Sequence, residues 1–281
     1  TVVIWRSKHG RDPAGIRLLC RDPAPVLAPT FADLSTTVIM SATLRPPDFY
    51  GSMFGLESNR LVEAEFDSPF PPEHRKVLVV GNVSTEYKKR ARDKAAIAAH
   101  VESAIRGVPG NVAVFFSSFA LRDAVAAEMG LTGRPMIFQE RNMDDGDRAR
   151  VLQTLQQGQN HVLMGVLGGI FSEGIDLPGA GLLAAVIVGP ALPAVGMERK
   201  LMSAWFQELH GAGFRYAYQV PGMARVVQAA GRVIRTPNDI GAIVLVGRRF
   251  LQNEYQAFFP PEWTAVRSNN PEEDLVGLWD V

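Results

Sequence analysis

The sequence predicts an α/β fold in which a mostly parallel sheet carries helices on both faces. Two observations carry that expectation. Short runs such as 112–116 (VAVFF) and 241–246 (GAIVLV) are apolar almost throughout, the mark of strands buried on both faces. Between them lie longer segments with apolar residues every three or four positions, the alternation expected of strands joined by crossover helices. A third observation sets the scale: 281 residues, 47% of them hydrophobic, suffice for a core without disulfide or metal staples.

Taken in order, residues 2–5 and 16–20 are short apolar segments, followed by the turn-like RDPAP, a short helix and a strand over 36–40. Residues 91–106 place Ala95, Ile97, Ala98, Val101, Ala104 and Ile105 at helical spacing, and strand 112–116 follows Gly110 and Asn111. A helix over 119–129, a short strand over 135–138 and a polar-faced helix over 147–157 ending near Gly158 come next. Strands are expected at 161–165, 183–188 and 241–246, and helices at 195–209 and 223–235. In the first of those helices Met197, Leu201, Trp205 and Leu209 form a stripe expected in the core. Phe214, Tyr216 and Tyr218 alternate with basic and small residues, a pattern that suits packing and also suits base stacking. Beyond Pro260 the composition is mixed, and a loosely packed appendage is expected.

Lys and Arg number 29, as do Asp and Glu, so any nucleic-acid contact has to be local. The single cysteine, Cys20, excludes an internal disulfide and any four-cysteine metal or iron–sulfur site within these residues. There is no apolar run of membrane-spanning length, and the first ten residues lack a signal-peptide pattern, so a cytoplasmic protein with no membrane partner is expected. The start without methionine is read as a cut boundary.

Four stretches carry chemistry. In 228–235 (QAAGRVIR) two arginines three residues apart would share a helix face; planar guanidinium forks suit a transferring phosphoryl group, and the same spacing suits a surface helix whose arginines pair with acids. The stretch 169–178 (GIFSEGIDLP) follows an apolar strand, where parallel sheets place ligand loops. Its glycines let backbone amides approach a phosphate; it also reads as an ordinary loop with solvated acids. Stretches 38–44 (VIMSATL) and 112–119 (VAVFFSSF) are expected to be buried strands ending in small hydroxyl residues, which either relay or hold a phosphate or simply cap the next element.

In this order SATL, VFFSSF, GIFSEGIDLPG and QAAGRVIR resemble motifs III, IV, V and VI of superfamily 2 helicases, in wording closest to the DinG/XPD (Rad3-like) branch. The resemblance runs from about residue 22 to 250. It implies a RecA-like second motor domain over 41–260, with residues 1–40 an entry segment that packs with the absent first motor domain and 261–281 a C-terminal tail. It further implies that Arg232 and Arg235 face the nucleotide, Arg235 as arginine finger with Gln228 beside them, and that Gly174 and Asp176 line the nucleotide cleft. Glu173, the motif V acid, serves either side. Ser41 and Thr43 couple nucleotide state to DNA grip, and Ser117, Ser118 and Ser172 contact the backbone of single-stranded or forked DNA. Phe171 is DinG-like, whereas Ile170 stands where many relatives carry a basic residue.

None of the six lysines follows a glycine, so these residues hold no Walker A loop, and no DEAH-like box is visible. The resemblance therefore implies that ATP and Mg2+ are bound mainly by the first helicase domain, that any iron–sulfur cluster lies in the upstream part, and that the fragment alone does not hydrolyse ATP. A DNA helicase acting in repair or replication is one reading. A non-catalytic module that grips single-stranded nucleic acid or a repair partner is the other.

Overall fold

The computed structural model describes residues 2–5, 15–57, 59–130, 133–157, 160–172 and 181–280. Its strands are β1 (Val2–Trp5), β2 (Gly15–Leu18), β3 (Arg75–Val80), β4 (Val112–Phe116), β5 (Met136–Phe138), β6 (Val162–Val166), β7 (Ala184–Val188), β8 (Gly241–Val246) and β9 (Ala265–Arg267). The α-helices are α1 (Ala24–Ala32), α2 (Pro47–Phe54), α3 (Arg90–Arg106), α4 (Phe119–Ala126), α5 (Asp145–Gln157), α6 (Met197–His210), α7 (Val220–Ala230), α8 (Asn253–Gln256) and α9 (Pro271–Asp274). These elements fall into two units, residues 1–65 with 192–221, and residues 66–191 with 222–281.

The second unit is built on a seven-stranded parallel sheet of order β5-β6-β4-β7-β8-β3-β9. Alternate residues point to opposite faces, and both sets are buried. Leu78, Val80, Val114, Phe116, Val186, Val188, Val244 and Val246 pack with Ile97, Val101 and Ile105 of α3 and with Leu121 and Val125 of α4. The opposite set, including Val79, Phe115, Leu163, Ile187 and Leu245, is equally closed to water. This double coverage is why the central strands are apolar throughout. The RecA-like α/β class expected from the sequence is the one found.

Several elements differ from expectation. β3 (RKVLVV), paired on both sides between β8 and β9, is a strand that the helix-and-strand alternation passed over. Residues 36–40 form no strand; among the described residues nothing pairs with them, and Val38 is 76% and Met40 83% exposed. The tail beyond Pro260 is part of the sheet unit: β9 pairs with β3, and Leu275 is buried in the core beneath α3.

In the first unit β1 and β2 form an antiparallel pair. Gly55 closes α2 in the left-handed conformation (φ 68°), and a Cβ there would lie 2.8 Å from that of Ala28, so α1 and α2 meet too closely for any larger residue. An aromatic cluster holds the unit together. Phe49 packs at 4.8 Å from Tyr216 and 5.7 Å from Phe206, with His210 5.3 Å from Tyr216. The Tyr216 hydroxyl donates to Asp48 at 2.6 Å, and Ser52 and His210 are joined at 3.2 Å. The stripe expected in the core of α6 is not the buried one: Met197 and Leu209 are at least half exposed, Trp205 lies under the Arg21 guanidinium, and Phe206 is the buried residue. Tyr216 and Tyr218 are buried in a π-helical turn (Arg215–Gln219), while Phe214 is exposed and stacks on Tyr218. Among the described residues no helix is long and apolar enough to cross a membrane.

Candidate functional site

Strand register sets out the chemistry. Phe116 lies opposite Val166 and Val188, Val188 opposite Val246, and Val246 opposite Val80. The loops that follow these five strands therefore leave from one carboxyl edge, where a parallel sheet collects its ligand loops. Ser117 and Ser118 lie there, between β4 and α4. Ser118 caps α4, its Oγ accepting from the Leu121 N–H at 3.2 Å. Among the described residues the Ser117 side chain makes no hydrogen bond, which leaves its hydroxyl the freer of the pair.

Ser172 is placed differently from the expectation that it meets DNA. It is 1% exposed, and both its hydroxyl (3.1 Å) and its N–H (3.0 Å) donate to the Gly169 carbonyl. That bond closes the turn after β6 and directs the hydroxyl inward. Glu173, Gly174 and Asp176 lie outside the described residues.

The carboxyl edge carries a group of residues that sequence reasoning did not single out. Gln139, buried just past β5, accepts from the Val166 N–H at 3.0 Å and donates from its own N–H to the Met164 carbonyl at 3.0 Å. A Cβ on Gly169 would lie 2.4 Å from its amide nitrogen, so any larger residue there would displace the Gln139 amide. Arg122 of α4, also buried, donates to the Gln139 carbonyl and lies over Phe119 and Phe138 at 4.9 and 5.5 Å. Arg141 covers the Phe119 ring at 4.4 Å. The legible signal was Phe119 and Arg122 three residues apart on one helix, directly after the hydroxyl pair.

The arginines lie at the other edge. Helix α7 ends at Ala230, five residues short of the expected boundary at 235, so Arg232 and Arg235 stand on the turn leading into β8 and do not share a helix face. Three features end the helix. Gly231 weakens it, and the Arg232 and Val233 amides turn to carbonyls three residues back. The Asp239 carboxylate then accepts from the Arg235 and Thr236 amides, each at 2.7 Å. Arg235 and Gln228 are exposed and Arg232 is half-buried. A Cβ on Gly241 would lie 2.0 Å from Val233 Cγ1 and 3.2 Å from the Leu183 carbonyl. The arginine turn thus packs beside the point where the chain comes back from residues 173–180.

The segment from Leu167 to Leu183 consequently leaves the carboxyl edge at β6 and re-enters at the amino edge beside the arginines. Gly168, at its start, has φ 75° and faces the Arg225 guanidinium of α7, which a Cβ would approach to 3.2 Å. In the other unit Ser41 and Thr43 hold each other at 3.2 Å between hydroxyls, in an exposed turn and not at the end of a buried strand.

A family model described as the helicase C-terminal domain matches residues 101–266. A probable ATP-dependent helicase of Methanocaldococcus jannaschii is 28% identical over 211 residues, covering 68% of this chain and 32% of that protein. The ATP-dependent DNA helicase chl1 of Schizosaccharomyces pombe is 25% identical over 285 residues, covering 92% of this chain and 34% of its own. A solved structure titled XPD helicase superimposes with a TM-score of 0.65 at 18% identity, over 88% of this chain and 45% of that one, a likeness of fold. The chain spans about a third of the length of the curated relatives it matches.

Proposed function

Because the chain belongs to the helicase C-terminal domain family, in its DinG/XPD-like branch, we propose that it is the second motor domain of an ATP-dependent DNA helicase acting in repair or replication. The observation that carries this reading is that β6 ends at the edge bearing hydroxyl, aromatic and arginine groups, while the next strand, β7, begins at the edge bearing Arg232 and Arg235. A motor needs such a connection between the strand it grips and the nucleotide it hydrolyses.

In this reading ATP and Mg2+ are held mainly by the first helicase domain, where they supply the reacting γ-phosphoryl group and its metal clamp. Arg235, exposed on a turn whose backbone Asp239 fixes, is the arginine finger; Arg232 assists it and Gln228 lies alongside. Gly174 and Asp176 line the cleft, with Glu173 at the boundary between nucleotide and DNA. Ser117, with Phe119 and Arg141 close by, meets the single strand, and Ser118 contributes chiefly by capping α4. Ser41 and Thr43 relay the nucleotide state. With no Walker A lysine in these residues, the chain alone does not turn over ATP.

The test is ATPase activity of the complete helicase, with and without single-stranded DNA. Arg235→Ala should lower turnover by roughly a thousandfold to a hundred-thousandfold, the range attributed to arginine fingers. Near-normal turnover in that variant would sink the assignment, and DNA binding without any turnover in the parent would favour a non-catalytic binding module.

A further inference from the structure

A second cationic surface lies on the same carboxyl edge, away from the motif residues. From the end of the loop after β3 into the first turns of α3, the sequence STEYKKRARDK (residues 84–94) places five cations within seven residues, Lys88 to Lys94. The Gly247 N–H donates to the Val80 carbonyl at 2.8 Å, and the Arg248 N–H to the Val83 carbonyl at 2.9 Å. These bonds bring the turn after β8, with Arg248 and Arg249, against that loop. The base of the loop is fixed. Thr85 is buried between two left-handed glycines, so that a Cβ on Gly189 would lie 2.6 Å, and one on Gly247 3.2 Å, from its Oγ1. The Ser84 N–H donates to Asp93 at 2.7 Å.

From this base Tyr87 projects with 80% of its surface exposed, and the Arg90 guanidinium covers one ring face at 4.6 Å. Around it stand Lys88, Lys89, Arg90, Arg92, Arg248 and Arg249, against two carboxylates. Glu86 is bonded to Lys89 at 3.0 Å and Asp93 to Arg92 at 2.8 Å. Both carboxyls are held below their ordinary range, Glu86 first by the Lys89 hydrogen bond and then by Lys89, Arg249 and Arg248, Asp93 first by Arg92 and then by the Ser84 amide. Among the described residues Lys88, Arg248 and Arg249 form no ion pair. An aromatic ring open on one face within a field of unneutralised cations is the pairing that holds a base and its flanking phosphates.

We propose that the loop from Thr85 to Arg90, together with Arg248 and Arg249, is a landing site for single-stranded DNA, in which Tyr87 stacks a base and the surrounding cations hold adjacent phosphates. The choice of polymer rests on the helicase reading; the choice of single strand rests on Tyr87, because paired bases within a duplex offer no free face to it.

The experiment is fluorescence anisotropy of a labelled oligothymidylate with the 281-residue chain across a series of salt concentrations. Replacing Lys88, Lys89 and Arg90 together by alanine should reduce the slope of log affinity against log salt by about 2, at roughly 0.7 per phosphate contact. Tyr87→Ala should weaken oligothymidylate binding by about five- to 150-fold, with Tyr87→Phe close to the parent and a blunt duplex unaffected. Tyr87, Lys88 and Lys89 are exposed and Arg90 is half-buried, and circular dichroism melts verify that the variants fold. Unchanged slope and affinity in a parent that binds would overturn this site while leaving the helicase reading standing. Equal losses for duplex and single strand would overturn the single-strand assignment, and no binding by the parent would remove both the site and the DNA reading.

Discussion

Asn111 offers a direct measure of what holds the returning end of the Leu167 to Leu183 segment. It is 2% exposed at the entry to β4; its Nδ2 donates to the Leu155 carbonyl at 2.7 Å and the Gly181 carbonyl at 2.9 Å, and its Oδ1 accepts from the His161 N–H at 2.8 Å. One side chain thus ties the end of α5, the approach to β6 and the residue where the chain re-enters after 173–180. Asn111→Ala deletes the three bonds just described, each contributing about 0.5–1.5 kcal/mol, and leaves their partners poorly hydrated at about 1–3 kcal/mol apiece if fully unpaired. With partial rehydration the loss should be about 3–5 kcal/mol. At about 2–4 °C per kcal/mol for a domain of this size, the melting temperature falls by roughly 10 °C, measurable by calorimetry. Asn111→Asp retains the acceptor for His161 but sets a carboxylate against two carbonyls, so it should be no more stable than the alanine variant. A melting temperature within about 2 °C of the parent for either substitution would refute the argument.

Gly189→Ala should destabilise the sheet unit by about 1–2 kcal/mol from its left-handed backbone alone, and Thr85→Ala in the same chain should recover the part due to the clash, read as a non-additive double-mutant cycle in urea. The two hydroxyls after β4 should separate: Ser118→Ala costs about 1 kcal/mol of stability through the lost cap, whereas Ser117→Ala leaves the denaturation curve unchanged and weakens oligothymidylate binding. Burial, and then the Asp48 carboxylate, push the Tyr216 hydroxyl up to about 12 from its ordinary value of 10.0. A raised folded-state value means that this stabilisation is intact below pH 10 and is lost as the pH climbs through about 12. The melting temperature should therefore fall less steeply above pH 10 in Tyr216→Phe than in the parent, and parallel curves would disprove the linkage.

The sheet was legible where burial is two-sided. β4, β7 and β8 are apolar at nearly every position, and runs of five or six such residues are too short to be buried helices. β3 escaped because its first two residues, Arg75 and Lys76, are charged and only the last four are buried. Residues 36–40 have the β-branched composition of a strand but, among the described residues, no neighbour to pair with, and composition alone cannot supply one. The end of α7 misled for a subtler reason: Val226, Ala229, Ala230, Val233 and Ile234 are all buried, so the helical period of the side chains continues after the backbone has left the helix. The acceptor that fixes the new path, Asp239, stands four residues beyond Arg235 and gives no periodic signal. The hydroxyl and arginine positions stand out through motif resemblance, and Arg122 through its spacing from Phe119, whereas Gln139 acquires meaning only when β5 and β6 are set side by side.

The first unit is assembled from two stretches of chain, residues 1–65 and 192–221, separated by more than a hundred residues of the other unit. Its aromatic cluster closes across that gap, as Tyr216 reaches Asp48 over 168 positions. During synthesis Phe49, Tyr50 and Phe54 therefore emerge long before Phe206 and Tyr216 can cover them, and β3 to β7 have all left the ribosome first. A folded sheet unit shortens the distance to be closed, so the aromatic cluster should form late and depend on it. The same order governs truncation: cutting the chain near residue 65 uncovers Phe206 and Tyr216, and a soluble sheet unit requires that residues 192–221 be replaced by a short linker as well.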